Sequence, residues 1–201
     1  MFDGRLRRLI DPTLDKIGRS LTRRGLSADR VTLAGLALGL LCALAVARRL
    51  DVLALALLAV SRICDGLDGA IARATAPTDR GGFLDITCDF VFYGAVPLAF
   101  ALRDPAPNAL PAAVLLFAFY VNGASFLAFA VMAAKRGLTT MQRGAKSLYF
   151  TAGLAEGAET IACFAAMVLW PGHFAWFACG FAALTLVTAV SRAILAWTTF
   201  D

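Results

Sequence analysis

Histidine is almost absent from this sequence: His173 is the one example in 201 residues. It sits in the turn Trp170-Pro171-Gly172-His173, far along the chain from the acidic clusters, so no imidazole chemistry is expected. Cysteine occurs five times, at Cys42, Cys64, Cys88, Cys163 and Cys179, but nowhere with Cys-x-x-Cys spacing. All five fall inside apolar runs, where a thiol behaves as a small apolar side chain. Cys64 and Cys88 abut aspartates, yet a soft thiolate is a poor ligand for a hard cation. Internal repeats and low-complexity segments are lacking too. So is any basic groove interleaved with aromatics, which excludes nucleic acid as a partner despite a net charge of +5. Charged residues make up 16% of the chain, and connections between apolar runs are short. There is no room for a soluble catalytic domain. Any chemistry must be built from the helices themselves.

What the chain has in abundance is apolar surface: 60% hydrophobic residues and a mean hydropathy of +0.74, outside the range of a soluble globular domain. The expected fold is all-α and integral to a lipid bilayer. Six transmembrane helices are predicted over residues 31–47, 52–72, 82–102, 109–134, 149–170 and 174–197, the runs long enough to cross about 30 Å of hydrocarbon. Pro105, Pro107, Asn108 and Pro111 are expected to mark the loop after the third span, and Pro97 to kink that span.

Residues 1–25 form a separate juxtamembrane segment, and residues 26–201 the six-helix domain. Leu6, Leu9, Ile10, Leu14, Ile17 and Leu21 recur at spacings of three and four with arginines between them. That pattern predicts an amphipathic helix lying in the membrane interface, broken at Pro12. Charge interrupts the apolar run and no small-residue cleavage site follows, which fits a cleaved signal peptide badly. Ser27 or Asp29 is expected to cap the first span. Arg5, Arg7, Arg8, Lys16, Arg19, Arg23, Arg24 and Arg30 crowd the N-terminal segment, and Lys135, Arg136, Arg143 and Lys146 the loop after the fourth span. The other side has Arg48, Arg49 and Arg103. This asymmetry places both termini, and the connection from Arg73 to Asp85, in the cytoplasm.

Against that background four aspartates stand out. Asp65 and Asp68 are three residues apart near the end of the second span, and Asp85 and Asp89 four apart near the start of the third. Each pair projects from one face of its helix, and antiparallel neighbours joined by a short loop can bring the faces together. A carboxylate at membrane depth costs a few kcal/mol even on the mildest scale. Four of them offer up to eight oxygens, a set suited to Mg²⁺ or Mn²⁺. Two such ions would neutralise the four charges, whereas one would leave two negative charges facing any incoming phosphate. Gly66, Gly69, Ala70, Ala72, Gly81 and Gly82 keep side-chain bulk low nearby, so that a ligand can approach the backbone or the helices can pack closely. Arg73, two turns beyond Asp65, can grip a phosphate in bidentate fashion. Arg62 is read as a structural partner of a carboxylate.

These residues resemble the signature of the CDP-alcohol phosphotransferases (CDP-alcohol phosphatidyltransferases): Asp-x-x-Asp-Gly-x-x-Ala-Arg, a spacer, then Gly-x-x-x-Asp-x-x-x-Asp. Asp65, Asp68, Gly69, Ala72 and Arg73 match the first half, and Gly81, Asp85 and Asp89 the second. The spacer is one residue shorter than usual, and counting back from Asp85 favours Gly81 over Gly82 as the motif glycine. Ser27-Ala28-Asp29-Arg30-Val31-Thr32 is similar to the family's Ser/Thr-Pro-Asn-x-x-Thr before the first span, with Ala28 for proline and Asp29 for asparagine. The resemblance implies transfer of a phosphatidyl group from CDP-diacylglycerol to a small alcohol, with release of CMP. It implies that Asp65, Asp68, Asp85 and Asp89 hold two divalent ions, Mg²⁺ or Mn²⁺, with Asp89 also the general base. Gly69, Ala72, Arg73 and Gly81 would receive the nucleotide and its phosphates. A homodimer in a bacterial inner membrane, with its active site on the cytoplasmic side, is also implied.

The acceptor side is less defined. Arg143 and Lys146 can receive a phosphorylated alcohol, while Glu156 and Glu159 are costly intramembrane acids on one face. These two acids fit substrate contact and a structural pairing with Arg192 or a hydroxyl equally well. Asn122, Ser125, Ser147 and Thr151 are further polar candidates. Two other classes compete. A cation carrier would use the aspartates but leaves the Gly–Ala–Arg run without purpose, and an aspartate-rich intramembrane prenyltransferase needs a longer chain and another spacing.

Overall fold

The apolar runs fold as helices throughout the computed structural model, which describes residues 3–138 and 157–200. In chain order these are α1 (Asp3–Arg23), α2 (Ala28–Ala47), α3 (Asp51–Ala74), α4 (Asp79–Arg103), α5 (Pro105–Lys135) and α6 (Gly157–Leu169); then come a 3₁₀ turn (Pro171–His173) and α7 (Phe174–Phe200). No strand occurs among the described residues.

Among the described residues, four helical stretches are long and apolar enough to cross a membrane: α2, α4, α5, and the 3₁₀ turn with α7. α3 has the length, at 24 residues, but carries Asp51, Arg62, Asp65, Asp68 and Arg73. α6 is apolar and shorter, and the first part of the expected fifth span lies outside the described residues.

Three sequence expectations need correcting. Pro105, Pro107, Asn108 and Pro111 do not mark a loop, because α5 begins at Pro105 directly after Asp104 and contains all four. A proline in the first turn sacrifices little, since the amides there have no intrahelical acceptor. Asn108 turns inward instead, its Nδ2 donating to the Phe100 carbonyl at 3.0 Å and tying α5 to the end of α4. Pro12 likewise does not break α1, which runs through it. Ser27 occupies the N-cap position of α2 in an extended conformation, without a side-chain capping bond. Asp29 instead accepts from Arg80 at 2.7 Å, linking the starts of α2 and α4.

Two features set the register of the acidic helices. At the end of the bundle away from the aspartates, Arg103 closes α4 by a two-pronged ion pair to Asp51, the first residue of α3. Arg49, in a left-handed conformation at φ 62°, donates to the Arg103 carbonyl at 3.0 Å. From Asp51 to Asp65 is 65 − 51 = 14 residues, and from Asp89 to Arg103 is 103 − 89 = 14. At about 1.5 Å per residue, an antiparallel pair clasped at Asp51–Arg103 therefore brings Asp65 level with Asp89, and Asp68 nearly level with Asp85.

α2 supplies the second feature by packing closely against both α3 and α4, which hardly touch through their own backbones. Small residues allow this. A Cβ at Gly35 would lie 3.1 Å from the Cys64 Cβ, and one at Gly39 only 2.6 Å from the Phe92 ring. The Ser61 hydroxyl donates to the Gly35 carbonyl at 2.8 Å across the α2–α3 contact. With α2 as the common support, a gap remains between α3 and α4, and the carboxylates project into it. Below the gap, Phe92, Phe100, Leu115, Phe164 and Phe174 are fully buried, with Phe100 and Phe174 stacked at 4.4 Å.

α1 docks on the aspartate-bearing half of α3. Gly18 is buried there, its missing Cβ 2.9 Å from the Ala70 Cβ, and Leu14 covers Gly66. Ile10 and Ile17 remain exposed.

Candidate metal centre

Asp65 and Asp68 leave α3 at a spacing of three, and Asp85 and Asp89 leave α4 at a spacing of four, so each pair points into the gap that α2 holds open. Carboxylate oxygens of Asp65, Asp85 and Asp89 lie within 4.8 Å of one another. Asp68 lines the same narrow cleft, beside Thr32 of α2. It is the most enclosed of the four at 5% exposure, and its Oδ2 is buried without a hydrogen-bond partner. The four predicted acids thus share one small volume.

Among the described residues, Arg62 stands between them. Arg62 Nη1 is 3.2 Å from Asp65 Oδ1 on its own helix and 3.2 Å from Asp89 Oδ1 on the next. Its Nη2 donates to the Ser61 hydroxyl at 3.1 Å, and the guanidinium lies 4.4 Å from the centre of the Phe92 ring. Against four carboxylates, the described lining of this partly buried cleft offers one guanidinium, and acids gathered this way are costly without further cations. Hard oxygens, close spacing, and a buried Asp68 oxygen without a protein donor fit divalent ions of the Mg²⁺ or Mn²⁺ kind.

The remaining motif residues divide. Gly66 and Ala70 are taken up by α1 packing, whereas a Cβ at Gly69 would meet only Arg73 Nη1, at 3.3 Å. Ala72 is half-buried on the same helix end. Arg73 points to α1, where its Nη2 donates to Asp15 Oδ1 at 2.8 Å, and it is half exposed. Of the two glycines after the loop, Gly81 is the constrained one: its amide donates to the capping Thr78 Oγ1 at 3.0 Å. A Cβ at Gly81 would crowd Thr78 Oγ1 at 3.1 Å and touch Asp29 Oδ1 at 3.5 Å, while Gly82 has open space.

On the acceptor side, Arg143, Lys146 and Glu156, with Ser147 and Thr151, lie outside the described residues. Glu159 is half-buried on α6. Arg192 donates to the Asn122 carbonyl at 3.1 Å, to Asn122 Oδ1 at 2.9 Å and to Ser125 Oγ at 2.7 Å. A polar knot between α5 and α7 is therefore present that sequence reasoning missed. Its signal was available, since an arginine inside the last apolar run demands partners. The bridge from Arg62 to Asp89 was also missed, because its ends are 27 residues apart.

Over residues 25–198 the chain matches the sequence profile of CDP-alcohol phosphatidyltransferase. It belongs to the CDP-alcohol phosphatidyltransferase family. Among curated proteins it is 44% identical, over 192 residues, to the inner membrane protein YnjF of Escherichia coli, covering 96% of this chain and 93% of that protein. It is 33% identical over 100 residues to the archaetidylinositol phosphate synthase of Pyrococcus horikoshii, covering 49% of this chain and 53% of that one. Two solved structures of the phosphatidylinositol phosphate synthase of Mycobacterium tuberculosis share the fold. The one with CDP-DAG bound is 24% identical with a TM-score of 0.64, covering 92% of this chain and 94% of that chain. The one in complex with manganese and citrate is 23% identical with a TM-score of 0.64, covering 92% and 89%. Family membership and the apolar helices make this chain an integral membrane protein of a family of phospholipid-synthesising transferases.

Proposed function

We propose that the protein transfers a phosphatidyl group from CDP-diacylglycerol to a small alcohol, releasing CMP, on the cytoplasmic side of a bacterial inner membrane. The observation that carries this reading is the convergence of Asp65, Asp68, Asp85 and Asp89 on one cleft with a buried, unpartnered Asp68 oxygen. Those four residues would hold two divalent ions, Mg²⁺ or Mn²⁺. When bound, such ions neutralise the diphosphate and polarise the phosphorus under attack.

The protein's own groups do the rest. Asp89 accepts a hydrogen bond from the acceptor hydroxyl and takes its proton as the new P–O bond forms, an assistance worth typically ~10²–10⁴-fold. The bond to the CMP phosphate oxygen breaks, and CMP leaves with the electron pair. Arg62, on Asp89 Oδ1, holds that carboxylate in one orientation. Gly69, Ala72 and Gly81 allow the nucleotide close to the ends of α3 and α4, and Arg73 exchanges Asp15 for a donor phosphate. Fixing donor and acceptor in line removes much of the entropic barrier. Arg143, Lys146, Glu156 and Glu159 are proposed for the acceptor side.

The fold is read as six spans, with α3 and residues 149–170 completing the set. Residues 1–25 lie in the interface, residues 26–201 form the membrane domain, and two copies pair as a homodimer. The exposed Ile10 and Ile17 of α1, and the arginine-rich N-terminal segment, support that placement.

The test is to incubate the purified protein with CDP-diacylglycerol, a divalent ion and a panel of glycerol, glycerol 3-phosphate, serine, inositol and inositol phosphate. One acceptor is expected to give CMP in equal amount to a new phospholipid identified by mass. No CMP release with any of them would contradict the reading.

A further inference from the structure

Gly69, the motif glycine that α1 leaves uncovered, has the Arg73 guanidinium folded back over it: a Cβ there would stand 3.3 Å from Arg73 Nη1. Long side chains on a helix lean toward its N-terminus and onto the residue four positions earlier, so Gly69 is where Arg73 comes to rest. The other prong of the fork is fixed from α1, where Nη2 donates to Asp15 Oδ1 at 2.8 Å. Asp15 is in turn held by its neighbours on α1. Leu14 covers Gly66, and Gly18 packs so closely that a Cβ on it would lie 2.9 Å from the Ala70 Cβ. Sliding α1 along α3 would turn these contacts into clashes, so the Asp15 carboxylate stays beside Arg73. Asp15 lies before residue 25, where the match to the family profile begins.

We propose that Asp15 is a positioning residue that latches Arg73 over Gly69 in the nucleotide-free protein, so that a nucleoside diphosphate must break this ion pair to bind. The proposal rests on the reading that Gly69 and Arg73 receive the donor's nucleotide and phosphates. A carboxylate and a phosphate ask for the same N–H fork, so Asp15 occupies in advance a donor that a phosphate oxygen would use. Breaking the pair does two things at once: it frees the guanidinium and uncovers the Gly69 backbone. Both partners are partly exposed, Arg73 at 48% and Asp15 at 36% of the side chain, so water screens the pair and it opens at small cost. A ligand that binds only the open form is weakened by the fraction of molecules that are open. For an exposed ion pair that penalty is about two- to sixfold.

The experiment titrates CDP into the intact, detergent-solubilised protein at saturating Mg²⁺, followed by isothermal calorimetry. Asp15→Asn, which keeps the shape and removes the charge, is expected to bind CDP about two- to sixfold more tightly than wild type. Asp15→Glu, which restores a carboxylate, is expected to bind as wild type does. Asp11→Asn removes a carboxylate one turn away on α1 and is expected to change nothing, whereas a general loss of negative field would tighten both asparagine variants alike. In an Arg73→Gln background, Asp15→Asn is expected to have no further effect, because the latch has already lost its other half. Three results would overturn the proposal while leaving the nucleotide reading intact: equal or weaker CDP binding by Asp15→Asn, the same tightening by Asp11→Asn, or the same tightening in the Arg73→Gln background. No CDP bound by wild type or any variant would overturn both. Should Arg73→Gln bind CDP too weakly to titrate, the comparison of Asp15→Asn with Asp11→Asn decides.

Discussion

Asp68→Asn is expected to lower CMP release by at least ~10²-fold, the scale on which a lost electrostatic contact to the reacting centre is felt, while making the ion-free protein more stable. Both halves follow from one environment. Asp68 is 5% exposed, its Oδ2 is buried without a partner, and Asp65 and Asp85 line the same cleft. Asparagine has the same shape and no charge, so the substitution leaves no cavity. It relieves a buried, unsatisfied anionic oxygen whose cost is about 1–3 kcal/mol or more. Saturating Mn²⁺ reverses the order, because an ion that binds only the folded state stabilises it by RT ln(1 + [L]/Kd), and the variant has lost a ligand. Thermal unfolding with and without Mn²⁺, alongside CMP release, checks all three statements. A parallel fall in activity and ion-free stability would instead make Asp68 an ordinary packing residue.

Excess chelator is expected to reduce CMP release to background, and added Mg²⁺ or Mn²⁺ to restore it. The chelated protein stays folded, because what aligns α3 with α4 lies elsewhere: the Asp51–Arg103 pair at the far end, and α2 packed on both through Gly35 and Gly39. Arg62 also remains to neutralise part of the cluster. Far-ultraviolet circular dichroism before and after chelation is expected to match. Robust turnover in excess chelator would remove the ions from the account.

How much of this was legible in the sequence depended on the range of the interaction. The aspartate pairs were legible because helical spacing is local, and a short loop between two apolar runs forces antiparallel neighbours. The all-helical fold followed from composition for the same reason. The fate of the small residues was not legible: Gly66, Gly69 and Ala70 look alike in sequence, and only the docking of α1 separates the two that pack from the one left open. Arg73 was expected to face a phosphate and rests on Asp15, a partner 58 residues away that no local pattern names. The prolines around Pro105 misled because a turn and the first turn of a helix make the same demands on φ and on the missing amide. Arg192 was underread, since its partners Asn122 and Ser125 lie on a different span.

Divalent ions held between α3 and α4 are what the proposed chemistry needs most. Anomalous diffraction at the manganese edge, from crystals grown with Mn²⁺, tests this most directly. The expected result is anomalous density between the two helices, at about 2.0–2.2 Å from carboxylate oxygens of both Asp65–Asp68 and Asp85–Asp89. Well-ordered carboxylates with no anomalous density between them, in crystals saturated with Mn²⁺, would contradict it.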